Sequence, residues 1–383
     1  MKMWQAAVIA GAMAMAGSQA YAAPGDLVEQ TRIGGAPDGA SAFRLRYRSQ
    51  DADGREITVS GFAMIPAGTA PANGRAVVAW AHPTTGVIPA CAPSRSPLRF
   101  LMVPGLRNLL RQGHVVVATD YPGSGDGEVQ PFLDGPAEAR ALLDSVRAAR
   151  ALPGSDTSGR FALWGHSQGG QAVLFAGRMQ PAYAPELQLV AVAAAAPATD
   201  LATLFRDDLG TRGGNNLTAL ALWSWARTRD APYDRVVRPE AMAAIDAVAA
   251  KCIDALLPSP SKRAADKLLA GGFLTVPDIT RVAPWQDIIA RNSAGPLPAQ
   301  VPLFLAQGGA DVIVRPEVTA AYAARQCNDG GRVTLLTLPK EGHGWIASKS
   351  AGQMAAWLAD RMAGKPAPAC SGISALVSDG SAS

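Results

Sequence analysis

The five residues Gly165-His166-Ser167-Gln168-Gly169 constrain this chain more than any other stretch. Before them runs Phe161-Ala162-Leu163-Trp164, short, apolar and strand-like. After them, Gly170 to Ala176 reads as the start of a helix. A strand that turns sharply through Gly-x-Ser-x-Gly into a helix presents the serine hydroxyl at the apex of an elbow, where it can act as a nucleophile. The glycines have a steric reason: the strained turn brings the chain against its neighbours where a Cβ would clash. The five letters alone recur by chance, and it is the flanking strand and helix that give them meaning.

The rest of the chain extends the same pattern. Phe43 to Tyr47 and Glu56 to Ile65 alternate apolar with polar residues around the turn signal Asp51-Ala52-Asp53-Gly54, which predicts an antiparallel hairpin. Ala76 to Ala81 and Val115 to Ala118 are continuous apolar runs, as in parallel strands buried on both faces. Leu189 to Ala195, Leu303 to Ala306 and Val333 to Leu338 read as further buried strands. Helices are predicted over Phe100–Arg111, Asp134–Leu152, Glu317–Gln326 and Trp345–Arg361. Strands alternating with helices argue for an α/β fold with a mostly parallel, doubly wound sheet. Residues 200–298 break the alternation with helix-like segments at Leu217–Arg227, Glu240–Leu257 and Ala264–Leu269. They predict a helical cap inserted into a core formed by residues 23–199 and 299–363. The tail, 364–383, is rich in Ala, Pro, Ser and Gly and carries Cys370.

The N-terminus reads as an export signal. Lys2 is followed by apolar Ala6 to Ala16, too short to span a bilayer, and by Ala20-Tyr21-Ala22, which predicts a signal peptide over residues 1–22 with cleavage before Ala23. No later run reaches the length of a membrane span, so a soluble chain in the periplasm or medium is expected. Four cysteines, Cys91, Cys252, Cys327 and Cys370, fit an oxidising compartment. Their even number suggests two disulfides, with three pairings open. None forms a Cys-x-x-Cys pair, so no metal site is expected. The net charge of +4 comes without a Lys/Arg run, and no nucleic-acid partner is expected. Asp120-Tyr121-Pro122-Gly123-Ser124-Gly125 suits close packing and is too short for a dinucleotide fingerprint, so no cofactor is expected.

A serine hydroxyl needs a base. Of the four histidines, His82 follows one strand, His114 opens another, and His166 lies inside the elbow, where its side chain should point elsewhere. His343 follows the last strand, where the base of such a constellation belongs. The acid should fall between serine and histidine in sequence. Asp311, in the turn after Leu303–Ala306, leads, with Asp287 and Glu341 as alternatives. Oxyanion donors should be the backbone N–H of Gln168 and one from the loop His82-Pro83-Thr84-Thr85-Gly86. Proline has no N–H, so Thr84, Thr85 or Gly86 remain. Trp223, Trp225 and Trp285 in the cap, with Trp345, either line an acyl pocket or form cap core.

Several motifs together resemble the secretory lipase family, lipase A type, of the α/β-hydrolases. They are His82-Pro83-Thr84-Thr85-Gly86 before Cys91-Ala92-Pro93-Ser94, Gln112 to Val117 leading to Asp120-Tyr121, Gly165 to Gly170 before Tyr183-Ala184-Pro185-Glu186-Leu187, and Arg325-Gln326-Cys327 after Asp311. The resemblance implies a Ser167–His343–Asp311 triad, disulfides Cys91–Cys252 and Cys327–Cys370, and a loop donor at Gly86, or at Thr85 with one alignment gap. It also implies hydrolysis of carboxylic esters, small-molecule or lipid, by a secreted serine hydrolase. Gln168 replaces the glycine of the yeast type, which should narrow the crevice beside the nucleophile. The short C-terminus implies loss of the yeast enzymes' long flap. A serine peptidase or amidase, and a catalytically silent binding protein, are the competing readings.

Overall fold

The apolar runs resolve into one nine-stranded sheet. The computed structural model describes residues 23–371 except 126, 128 and 254–265. The expected signal peptide and most of the tail lie outside the described residues. In chain order the strands are β1 (Leu27–Ile33), β2 (Ser41–Gln50), β3 (Glu56–Ile65), β4 (Arg75–Ala81), β5 (Val115–Thr119), β6 (Thr157–His166), β7 (Gln188–Ala195), β8 (Leu303–Gly308) and β9 (Val333–Leu338). They lie in the order β1-β2-β3-β5-β4-β6-β7-β8-β9. β1, β2, β3 and β5 pair antiparallel, and every pairing from β5 across to β9 is parallel. The sheet is therefore mostly parallel and doubly wound, as the sequence predicts.

Chain order reverses direction at β4, with β5 on one side and β6 on the other. Loops leaving the carboxyl ends of strands diverge at such a switch point and open a crevice. Here Ala81, the last residue of β4, pairs with Gly165 of β6, so the loop beginning at His82 emerges beside the elbow.

Helices cover both faces. Gly135–Arg150, Gln168–Tyr183 and Pro316–Asn328 pack on one face through residues such as Leu142, Val146, Leu174 and Tyr322. Leu106–Arg111 and Ile346–Met362 pack on the other through Leu109, Met354 and Leu358. The Gly135–Arg150 helix begins where the Asp134 side chain accepts the amide of Ala137, which satisfies one of its orphan donors.

Between β7 and β8 the chain forms helices Leu201–Asp207, Arg212–Thr228, Pro239–Ala249 and Trp285–Arg291. They enclose their own apolar core around Phe205, Trp225, Ile245, Phe273 and Trp285. Cys91, in the loop after β4, is bonded to Cys252 in this insertion, and Cys327 is bonded to Cys370.

Three local expectations need correction. β1 is absent from the sequence reading: its middle residues are exposed on an edge strand and show no alternation. The helix expected from Phe100 starts only at Leu106, because Pro104 is followed by Gly105 in a left-handed conformation (φ 81°). The helix expected over Glu240–Leu257 stops at Ala249, before Cys252 enters its disulfide, and its expected end lies outside the described residues. Of the expected helix Ala264–Leu269, the described residues 266–269 are helical, and the helix runs one residue further.

Candidate active site

Ser167 stands between β6 and its following helix with φ 57° and ψ −116°. A side-chain-bearing residue avoids this region unless its surroundings force it there, at a cost of about 1–3 kcal/mol. The surroundings do force it. A Cβ on Gly165 would meet the backbone of Gly169, and one on Gly169 would meet the carbonyls of Ala81 and His82. The Ser167 amide donates to the carbonyl of Ala195 at 2.9 Å, and its carbonyl accepts from Gln171 at 3.0 Å.

From this apex a chain of hydrogen bonds runs through the loop after β9 to the loop after β8. The Ser167 hydroxyl donates to His343 Nε2 at 2.8 Å, and His343 Nδ1–H donates to Asp311 Oδ2 at 2.8 Å. Asp311 is buried, and its other oxygen accepts the amides of Ile313 (2.8 Å) and Val314 (2.9 Å). Gln307 Nε2, at 3.4 Å from Oδ2, adds a further donor. The carboxylate is thus fixed in place with its charge offset by donors. Asp287 is exposed on a helix of the insertion. Glu341 contributes its carbonyl, which accepts the amide of Ala310.

His166 is nearer to this chemistry than its sequence position suggested. Its Nε2–H donates to the carbonyl of His343 at 2.9 Å, and the two rings are 5.0 Å apart. Burial, with the neighbouring His343 imidazole, pushes its pKa down to about 3, so it is a neutral strut beneath the His343 loop. His114 is buried, with its pKa lowered to about 4 by that burial. His82 is buried against Tyr121, ring centroids 4.3 Å apart, and burial lowers its pKa too. In the next loop Asp120, also buried, accepts from the Ser60 hydroxyl and the Ser94 amide.

Two cavities meet at Ser167. One is narrow, runs under the insertion and is lined by Phe132, Leu133, Leu201, Phe205 and Val314. The other is a wider, open groove bordered by Thr85, Met102, Lys251, Ile253 and His343. Thr84 borders both, and Gln168 the first. Gly86 borders neither: it has φ 132° and packs on the disulfide, where a Cβ would lie 2.6 Å from Cys91 Sγ. The amides of Gln168, Thr84, Thr85 and Gly86 donate to no acceptor among the described residues. Gln168 ties its side chain down by donating to Glu138 Oε1 at 2.6 Å. Burial raises the pKa of Glu138 well above the usual carboxylate range.

None of the four tryptophans lines either cavity. Trp225 and Trp285 are fully buried in the core of the insertion, Trp223 donates to Asp246 on its outer side, and Trp345 is 66% exposed. The pocket reading of that group is corrected: the aromatic lining is Phe132 and Phe205. Sequence inspection missed both phenylalanines because they come from separate elements with no shared spacing. Among the described residues no cluster of His, Cys, Asp or Glu is placed to hold a metal ion, and no helix is long and apolar enough to cross a membrane.

The sequence profile described as secretory lipase matches residues 101–370. The chain belongs to the secretory lipase family. Among relatives, it is 30% identical over 171 residues to lipase A of Moesziomyces aphidis, covering 42% of this chain and 36% of that protein. The aligned part thus spans little more than a third of the fungal lipase. A Mycobacterium tuberculosis protein named a probable inactive lipase is 25% identical over 378 residues, 90% of this chain and 80% of that protein. In three dimensions the chain is similar to Candida antarctica lipase A in its closed state, with TM-score 0.76, 19% identity, and 91% and 85% of the two chains covered. That likeness, with the sheet described above, makes this member of the family an α/β-hydrolase in fold.

Proposed function

We propose that this protein is an exported serine hydrolase that cleaves carboxylic esters. The observation that carries the reading is the position of His343, whose two ring nitrogens lie 2.8 Å from Ser167 Oγ and 2.8 Å from Asp311 Oδ2. In the proposed cycle Ser167 attacks the ester carbonyl while His343 takes its proton. The collapsing tetrahedral intermediate expels the alcohol, which receives that proton from His343, and leaves an acyl-enzyme. Water, deprotonated by the same imidazole, then releases the acid. Asp311 holds the tautomer in which Nε2 is the acceptor and stabilises the imidazolium.

The charge that develops on the carbonyl oxygen needs preorganised donors. The free amide of Gln168 and one from Thr84 to Gly86 serve this role. Thr84 and Thr85 are favoured because they border a cavity together with Ser167. The narrow cavity takes the acyl chain and the open groove takes the alcohol side. Family membership supports ester substrates. The signal-like residues 1–22 and the pairing of all four cysteines support export.

An organophosphonate probe, followed by mass spectrometry, tests the reading. Labelling is expected at Ser167 in the folded wild-type protein and lost in Ser167→Ala. A folded protein that neither takes the label nor turns over p-nitrophenyl esters would return it to the class of silent binders.

A further inference from the structure

The acyl cavity holds a charge that the proposed cycle does not use. Asp208 lines it, in company with Phe132, Leu133, Leu201, Phe205 and Val314. The residue is 4% exposed. Among the described residues no donor reaches either carboxylate oxygen: Oδ1 is buried without a hydrogen bond, and the nearest cation, Arg315 Nε, stands 4.0 Å away. The Arg315 guanidinium is also shared with Asp207, at 3.9 Å from its carboxylate.

Local structure does not explain the carboxylate. Asp208 follows the last turn of helix Leu201–Asp207, where the helix dipole disfavours a negative charge. The contacts that shape this corner are made by its backbone: its carbonyl accepts the Thr211 amide and hydroxyl, and Gly214 packs close against it. A buried carboxylate without donors is costly, and an apolar side chain would suit an apolar pocket better. A group that brings a donor into the cavity would relieve the cost.

We propose that Asp208 is a specificity-determining anchor for the acyl half of the substrate, selecting acyl chains that carry a hydrogen-bond donor, a hydroxyl or a protonated amine, over plain alkyl chains. This rests on the ester-hydrolase reading and names its substrate class. The carboxylate accepts from the substrate's O–H or N–H⁺ while Ser167, at the mouth of the same cavity, attacks the carbonyl. A plain chain would leave the acid desolvated and unpaired, which is how polar sites reject analogues that lack the matching group. The charged and titratable groups facing Asp208 are Arg315, Asp207 and Asp311. The two aspartates repel its charge and Arg315 offsets it only in part. Accordingly, burial pushes the Asp208 pKa up to about 7.

The test compares full-length wild-type protein, Asp208→Asn and Asp208→Leu on methyl esters of four to eight carbons, each plain, ω-hydroxy or ω-ammonio, at pH 8. Active sites are counted by phosphonate titration. The readout is the ratio of kcat/KM for functionalised over plain ester within each protein, so changes in overall activity cancel. Wild type is expected to favour the ω-hydroxy or ω-ammonio ester by about tenfold or more at one chain length. Asp208→Leu is expected to reverse the preference. Asp208→Asn, the nearest isostere should the leucine variant fail to fold, is expected to lose the ammonio preference and keep part of the hydroxy one. A wild-type ratio near one at every length, or a ratio unchanged in Asp208→Asn, overturns this proposal and leaves the hydrolase reading standing. Absence of turnover on every ester overturns both.

Discussion

Ser167 reaches its position because two neighbours have no side chains, so the elbow should tolerate its own truncation better than theirs. Ser167→Ala keeps the backbone and is expected to abolish ester turnover with a near-normal melting curve. Gly169→Ala would press a methyl into the Ala81 and His82 carbonyls and is expected to lower Tm as well as activity. Circular dichroism melts beside turnover assays separate the two outcomes. Asp311→Asn is expected to keep the fold and reduce kcat by orders of magnitude, since an amide can present its N–H to His343 and impose the wrong tautomer. His166→Ala removes the strut under the His343 carbonyl and is expected to lower kcat about tenfold or more, with KM less affected. For Asp208 the sign follows from its raised pKa. A carboxyl that resists ionisation in the folded state contributes its full stability below the ordinary carboxylate pKa of about 4 and loses it as pH rises through about 7. Asp208→Asn should therefore raise Tm more at pH 8–9 than at pH 5, by about 2 °C or more, in paired calorimetric scans.

At the scale of elements, what could be read from sequence depended on whether the signal was local. β4 to β8 carry buried runs, and burial on both faces leaves a continuous apolar mark; β9, half-buried at the sheet edge, was read from its leucines and its β-branched residues. The order Ser167, Asp311, His343 was legible because each residue sits just beyond the end of a strand whose position could be counted. β1 left no such mark, because an exposed edge strand has no face to conceal. The helix before β5 was read too long, since apolar spacing continues through Pro104-Gly105 although the backbone cannot. The cavity under the insertion was not legible at all. Phe132 comes from a loop, Phe205 and Asp208 from one end of the insertion, and Val314 from the loop after β8, so no single window holds its pattern. The loop proposed to carry an oxyanion donor lies between these cases: its place after β4 was readable, but its backbone turns at Gly86 to meet a disulfide.

For the whole molecule, the insertion is a second hydrophobic core, joined to the rest of the chain by one covalent bond, by hydrogen bonds such as Ser224 to the Gln130 carbonyl and Trp225 to the Phe132 carbonyl, and by the Arg229–Asp134 ion pair. The Cys91–Cys252 bridge spans 161 positions of sequence, and closing a loop of that size removes about 5 kcal/mol of unfolded-chain freedom in the entropic account. Replacing both cysteines with serine should lower Tm by about 7 °C. It should also reduce kcat on short esters, because Gly86, at the end of the loop that carries Thr84 and Thr85, loses the wall that it packs against. A double variant with wild-type kcat would separate the bridge from the chemistry.

The Ile253 amide also donates to the carbonyl of Thr85 at 2.8 Å, so a backbone bond doubles the covalent one at the same corner. The insertion is therefore pinned beside the oxyanion loop. Arg229, paired with Asp134, and Ser224, donating to the Gln130 carbonyl, fasten it elsewhere too, so a bulky ester must be admitted by local side-chain movement or by breaking one of these ties.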